Sequence, residues 1–490
     1  MRSFVVFRRD GRCWPVAVLL IAAVGTPAAS QQQRSRVSLA TTRLVLGNGL
    51  TVLLNEDRSA PVAAVDVWYR VGSADENPGQ AGFAHACEHL MGLSSPNGSD
   101  AASTFLRSIG AVSGGRRGAW ATTAAEYTQY YETIPSDKLE TVLAFEAARM
   151  AAPFARVDSQ HFNSIRSVIR QERTLRVDNV PFGESVDITR EAIFPKDDPL
   201  HSPPLAPLAD LDTARLETVV DFCAEYYRPN NAIVAISGDF ATDSVARLLR
   251  RYFEPIPRAQ IRARRLSSAT QLRGERRLVI QGPRANTSRL RFAWRAVGFS
   301  SPQKMPLYAL AGVMSGDKYG FSRFGRLAEA LMRKEPLATF VHAELYDFQS
   351  EGMFVIDVTA RPGASLSRIE RVVDSVIADL AATPIRPSEL EAFANLNSVT
   401  AVTALQPRSA RTDTLAQSEM WTHDPQTYSK QIARAFSIAP ADVQKAARQF
   451  LGPSRVVVSM VPAGKLADIS KPELPYDDVT PVAHGRTRPQ

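Results

Sequence analysis

The stretch Gly82-Phe83-Ala84-His85-Ala86-Cys87-Glu88-His89-Leu90-Met91 decides the reading of this chain, because it places two imidazoles and a carboxylate on one apolar helix. A helix turns once in about 3.6 residues, so positions four apart lie about 40° from each other, and His85 and His89 project from one face a turn apart. That spacing suits a Zn²⁺ ion. Glu88 flanks the same face, near enough to take a proton from a water held there and offset from the line between the imidazoles, while Cys87 points to the other side. Two histidines so spaced also occur as a solvated or hydrogen-bonded couple; Glu88 between them and the apolar flanks favour the metal.

The order His-x-x-Glu-His is the reverse of the commoner His-Glu-x-x-His signature, the inverzincin pattern. Taken with Thr128-Gln129-Tyr130-Tyr131, Arg166-Ser167-Val168-Ile169-Arg170-Gln171-Glu172-Arg173 and Tyr226-Tyr227-Arg228-Pro229-Asn230-Asn231-Ala232, it resembles the M16 (pitrilysin-like, insulinase-like) zinc peptidase family. The likeness is greatest to the short two-domain members related to mitochondrial processing peptidase subunits, and it runs from about Thr42 to Gly464. It implies an α+β fold of two homologous domains, each a mainly antiparallel sheet covered by helices, of the LuxS/MPP-like metallohydrolase kind. It also implies that Glu172 is the third zinc ligand, which no local spacing picks out. On residue grounds alone Glu172 could be a surface glutamate paired with Arg176 four positions on; as a ligand it completes a His₂Glu set and leaves a fourth position for water.

The same resemblance exposes three departures. An acidic residue commonly stands seven positions before the ligand glutamate, and here that position is Ile165. The strand that lays out substrate usually carries Asn-Ala-x-Thr; here Trp120-Ala121-Thr122-Thr123 keeps the backbone for β-addition but not the amide side chain, so Trp120, Ala121 and Thr122 are the candidate substrate contacts. Arg116 and Arg117 just ahead could favour acidic substrate residues or simply be solvated. Finally, the family's non-zinc half supplies an Arg and a Tyr to the substrate, and the matching stretch Leu331 to Thr339 holds Met332 and Thr339 there, with Arg333 one position away. The expected partner is therefore a second M16-like subunit that carries the Arg/Tyr pair. The implied activity is hydrolysis of short or unfolded polypeptides in an enclosed chamber, with one Zn²⁺ per chain and Glu88 as general base. A zinc-loaded but weakly active scaffold, or a chamber that binds peptides without cutting, are the alternatives.

Residues 1–30 read as an export signal: Arg2, Arg8, Arg9 and Arg12 precede an apolar run from Trp14 to Val24 that is too short to span a bilayer, and small residues follow from Thr26 to Ser30. A periplasmic or secreted protein without a stable membrane span is expected. The chain carries a net charge of +8, and the leader's four arginines and Asp10 account for three of these charges, leaving about +5. With no clustered basic stripe apart from Arg258 to Arg277, that balance does not argue for nucleic acid. Of the three cysteines, Cys13 would leave with the signal. Cys87 and Cys223 lie in apolar helical patterns and read as core thiols before a bridge.

The mature length exceeds one hydrophobic core. The expected division is a zinc-bearing domain over 40–257, an exposed linker over 258–276, a second domain without a metal site over 277–468, and a frayed tail over 469–490. In the first domain, Arg43 to Leu54 with Asn48-Gly49 predicts a hairpin, Pro61 to Val71 a strand, Phe105 to Val112 a helix and Trp120 to Pro135 a strand. Helices are expected over Leu139 to Met150, Asp158 to Arg176 and Leu211 to Tyr227, then a strand over Ala232 to Ser237. Ala441 to Leu451, Gly452-Pro453 and Val456 to Val461 repeat that last helix–turn–strand, and Leu366 to Leu380 mirrors Leu139 to Met150. No histidine lies between Gln271 and Phe340, so the position of the metal helix carries no metal site in the second half.

Overall fold

The computed structural model describes residues 38–93, 102–113, 121–154, 157–267, 272–316 and 324–478. The leader, Arg116, Arg117 and Trp120 lie outside them.

The first half opens with the expected hairpin, β1 (Thr42–Val45) and β2 (Thr51–Glu56), with Gly49 at φ 90° in the connection, a conformation glycine adopts without a Cβ penalty. There follow β3 (Val62–Tyr69), α1 (Phe83–Leu93), α2 (Ala102–Ser108), β4 (Val112–Ser113), β5 (Ala121–Thr123), β6 (Thr128–Pro135), α3 (Leu139–Ala151), α4 (Ser159–Arg173), α5 (Ser185–Ile193), α6 (Ala209–Thr213), α7 (Leu216–Tyr226), β7 (Ala232–Gly238) and α8 (Thr242–Phe253). The strands lie in the order β1-β2-β7-β3-β6-β4, with β5 also on β6; only β2 and β7 run parallel.

The second half comprises β8 (Arg276–Gly282), β9 (Arg289–Val297), α9 (Lys304–Ser315), β10 (Ala338–Asp347), β11 (Glu351–Ala360), α10 (Leu366–Ala382), α11 (Pro387–Ala404), α12 (Arg408–Thr422), α13 (Thr427–Ala435), α14 (Pro440–Phe450), β12 (Val456–Pro462) and β13 (Asp477–Asp478). Its sheet order, β10-β11-β9-β12-β8-β13, repeats β5-β6-β3-β7-β2, and its parallel pair β12/β8 matches β7/β2. The chain thus contains two copies of one α+β plan.

Each copy buries one sheet face against its own helices: Val65, Val67 and Tyr69 of β3 pack with Phe83, Cys87 and Leu90 of α1, and Phe292 and Trp294 of β9 pack with Leu310 and Met314 of α9. The other faces are covered reciprocally. Phe182, Ile193, Phe194 and Leu200, in and around α5, lie on Leu278, Ile280, Val456 and Val458 of the second sheet. Leu415, Ala416, Met420 and Trp421 of α12 lie on Leu53, Trp68, Ile233 and Ala235 of the first. Since α5 follows α4 as α12 follows α11, the halves exchange equivalent helices.

Several boundaries differ from expectation. The helix expected to reach Val112 ends at Ser108, and Val112 pairs with Thr133 in β4. Trp120 to Pro135 is not one strand, because the chain doubles back between Thr123 and Thr128, with the Ala124 amide on the Tyr127 carbonyl at 2.8 Å. The helix expected from Leu211 breaks at Ala214, which has extended ψ 145°. Asp158 caps α4 by accepting the His161 amide, and a π-turn over Thr174–Asp178 follows it. The expected exposed linker is anchored: Arg264 is mostly buried and holds Asp75 at 2.7 Å, and Arg262 bonds the Tyr226 hydroxyl at 3.0 Å through Nε. The tail is ordered as far as 478, where Tyr476 bonds the Ser470 carbonyl and β13 pairs with β8. The two cysteines are not free thiols, for Cys87 and Cys223 form a disulfide between α1 and α7.

Candidate metal centre

The metal helix begins after Gly82, at φ 90°, and its first turn is capped by a carboxylate remote from the usual N-cap position. Glu76 accepts the Gly82 amide at 3.2 Å and the Ala84 amide at 2.9 Å, satisfying donors that the helix start leaves orphaned. Burial pushes the Glu76 carboxyl up to about 8, against the pull of those two amides. Phe83, Ala84, Ala86, Cys87, Leu90 and Met91 turn into the core, which leaves His85, Glu88 and His89 on the opposite side. His85 is 6 % exposed, and Glu88 and His89 are half-buried.

Glu172 reaches this group from the end of α4, whose inner face is Phe162, Ile165 and Ile169. The Nε2 atoms of His85 and His89 stand 3.2 Å apart, and Glu172 Oε2 lies 3.4 Å from the first and 3.9 Å from the second. Zinc bonds of about 2.0–2.2 Å place tetrahedral ligand atoms about 3.3–3.6 Å apart, so two edges of the triangle are close to those of a three-ligand zinc site and the His89–Glu172 edge, at 3.9 Å, is longer. Glu172 Oε2 is buried without a hydrogen-bond partner, as a ligand oxygen facing a metal would be. The donor set fits the ion. Burial, then the neighbouring His85, lower the His89 pKa and keep its ring neutral, the form that ligates. Burial alone would raise Glu172, but the nearby His85 ring and the charges of His89 and Arg176 outweigh it and leave the group lowered.

Around the triangle, Glu88 Oε2 accepts the Thr123 hydroxyl at 2.5 Å, and a side-chain donor atom from each of His85, Glu88 and His89 lies within 4.8 Å of the others. Arg176 Nη1 sits 3.4 Å from Glu172 Oε2, so the expected i,i+4 pair coexists with the approach to the histidines. Position 165 supplies only a buried isoleucine and no carboxylate. A cavity of about 540 Å³ opens over the group, lined by His85, Glu88, Glu172, Arg176, Tyr131 and β5 residues Ala121 to Thr123. Ala121 and Thr122 therefore stand beside the group on the strand that pairs only with β6 among the described residues. Thr123, the residue that reaches Glu88, stands at the Thr of the Asn-Ala-x-Thr pattern, although its partner lies 35 positions away. Met332, Arg333 and Thr339 do not line this cavity: Arg333 is exposed and pairs with Glu329 at 2.9 Å, and Thr339 is exposed on β10.

The insulinase (peptidase family M16) model matches residues 51–202, and the peptidase M16 inactive-domain model matches residues 213–396. A zinc protease named PqqE from Helicobacter pylori is 24% identical over 352 residues, 71% of this chain and 76% of that protein. A Mycobacterium leprae protein named as an uncharacterised zinc protease is 26% identical over 359 residues, covering 73% and 77% of the two chains. Among solved structures, a protease from Helicobacter pylori superposes with TM-score 0.77 at 22% identity over 86% of this chain and 99% of that one. The first half of the periplasmic protease PqqL from Escherichia coli gives TM-score 0.68 at 16% identity over 86% and 92%. With one M16 model on the zinc-type half, another on its repeat, and the same two-sheet fold throughout, the chain belongs to the M16 peptidase family.

Proposed function

We propose that the protein is an exported zinc endopeptidase that hydrolyses short or unfolded polypeptides, with His85, His89 and Glu172 holding the ion and Glu88 acting as general base. The observation that carries this reading is the Nε2–Nε2–Oε2 triangle with Glu88 beside it. Bound zinc would lower the pKa of water to about 7 and polarise the scissile carbonyl. The Glu88 carboxylate accepts the proton of the attacking water and delivers it to the leaving amine, while the Thr123 hydroxyl fixes the orientation of Oε2. Substrate backbone pairs with the edge of β5, presenting its carbonyl past Ala121 and Thr122, and an extended chain satisfies that edge where a folded protein would not.

At the sequence positions of the expected oxyanion donors the chain carries Met332 and Thr339, which favours a heterodimer whose second M16-like subunit closes the chamber and brings an Arg and a Tyr. A catalytically weak scaffold is the second reading, favoured by Ile165 and by the inactive-domain match over 213–396. Turnover of a quenched unfolded peptide, by this chain alone and with an M16-like partner, separates the two. Glu88→Gln should keep zinc and lose about 10²–10⁴-fold in rate. Zinc-independent cleavage, or none with any such partner, contradicts the peptidase reading.

A further inference from the structure

We infer that the Cys87–Cys223 disulfide is a positioning element of the candidate metal centre, so that zinc affinity depends on this bond being oxidised. The inference rests on the zinc reading above. Cys87 lies two residues after His85 and two before His89, and residues two apart on a helix are about 200° apart. Both imidazoles therefore point almost directly away from the sulfur. A shift of α1 relative to α7 at Cys87 carries both imidazoles with the helix and so changes their distances to Glu172, which sits on α4.

Both cysteines are fully buried in the first-half core, where α1 and α7 also meet edge to face through Phe83 and Phe222, ring centroids 5.9 Å apart, and through a polar relay. Tyr227, just past α7, has its hydroxyl 2.9 Å from that of Tyr130, which reaches the Glu88 carbonyl at 3.4 Å. The disulfide and the relay act on residues 87 and 88, inside the His-x-x-Glu-His motif. Replacing the covalent bond by a non-bonded sulfur contact lets the two helices part by more than about 1 Å. Metal–ligand distances tolerate only about 0.2 Å. Reduction takes two electrons and two protons from a dithiol, which becomes a cyclic disulfide, and leaves thiols at Cys87 and Cys223.

The test uses the full-length mature chain, oxidised or treated with dithiothreitol, with free thiols counted by alkylation and mass. Zinc affinity is read by competition with a chelating dye, and ligand geometry by the visible spectrum of the Co²⁺-loaded protein. Because the bond is buried and could resist the reagent, the Cys87→Ser/Cys223→Ala double variant is measured beside it. The expected result is zinc binding weaker by about 10–100-fold and an altered Co²⁺ spectrum, with a single cooperative melt retained. Zinc affinity within twofold of the oxidised chain and an unchanged spectrum, in either the reduced chain or the double variant, would overturn the inference. So would loss of the cooperative melt in a sample without the bond, because the disulfide would then hold the whole fold. An oxidised chain that binds no zinc contradicts the metal reading itself, a separate outcome.

Discussion

The two halves pose the same cavity twice and fill it with different chemistry. In the first, a cavity of about 540 Å³ lies between α1, α4 and the edge strand β5. In the second, one of about 690 Å³ lies between the equivalent elements α9, α11 and β10. There α9 presents Tyr308, Ala311 and Gly312, α11 presents Phe393 and Leu396, and β10 presents His342 and Glu344. His342 and Glu344 contact each other at 3.4 Å, but α9 and α11 bring no histidine or cysteine to them. Strand order and helix placement therefore belong to the fold, whereas the candidate centre needs four side chains on two elements of one copy. A duplicated scaffold can lose these four and keep its shape.

Breaking the link between the copies should have the largest effect on stability. Phe194 is buried against the second sheet and Trp421 against the first, so Phe194→Ala and Trp421→Ala should each cost about 3–5 kcal/mol. Because each helix covers the other half's sheet, either change should lower one shared melting transition. Two separated transitions, with only one half affected, would show that the exchange does not couple them.

A smaller effect should distinguish the helix starts. Glu76 caps α1 with a buried carboxyl, whereas α9 has no side-chain cap at Gln303. The folded-state value near 8 stands above the ordinary 4.5, so the protonated form favours the fold. Its contribution is complete below 4.5 and is lost as pH rises through 8, by up to about 1.4 kcal/mol per pH unit. Exchange protection at the start of α1, taken relative to the intrinsic rate at each pH, should fall over that window while that of α9 does not follow, and Glu76→Gln should flatten the dependence. Equal loss of protection in both helices would remove the distinction.

Much of this was legible in the residues themselves. Asn48-Gly49 marked the hairpin, and His85, Glu88 and His89 marked one helical face by spacing alone. Glu172 was reachable only through the family resemblance, since nothing near it announces a partner on α1. What stayed hidden was long-range pairing. Cys87 and Cys223 are 136 positions apart, and an apolar helical setting suits a thiol and a disulfide alike. Arg264 looked solvated because Asp75, its partner, lies 189 positions away. No helix was expected over Ser185–Ile193, and the sheet that α5 covers belongs to the other half. The turn between β5 and β6 is set by close packing: a Cβ at Gly72 would meet the Ala124 carbonyl oxygen at 2.3 Å, which a one-dimensional pattern does not carry.

The central claim is that His85, His89 and Glu172 hold a single zinc ion in the first half. Metal content and zinc affinity of the purified chain, set beside His85→Ala, His89→Ala and Glu172→Gln, test it most directly. About one zinc per chain is expected in the parent and loss of that zinc in all three variants, each still folded. Glu172→Gln that binds zinc as tightly as the parent would contradict it, because the third ligand would then lie elsewhere.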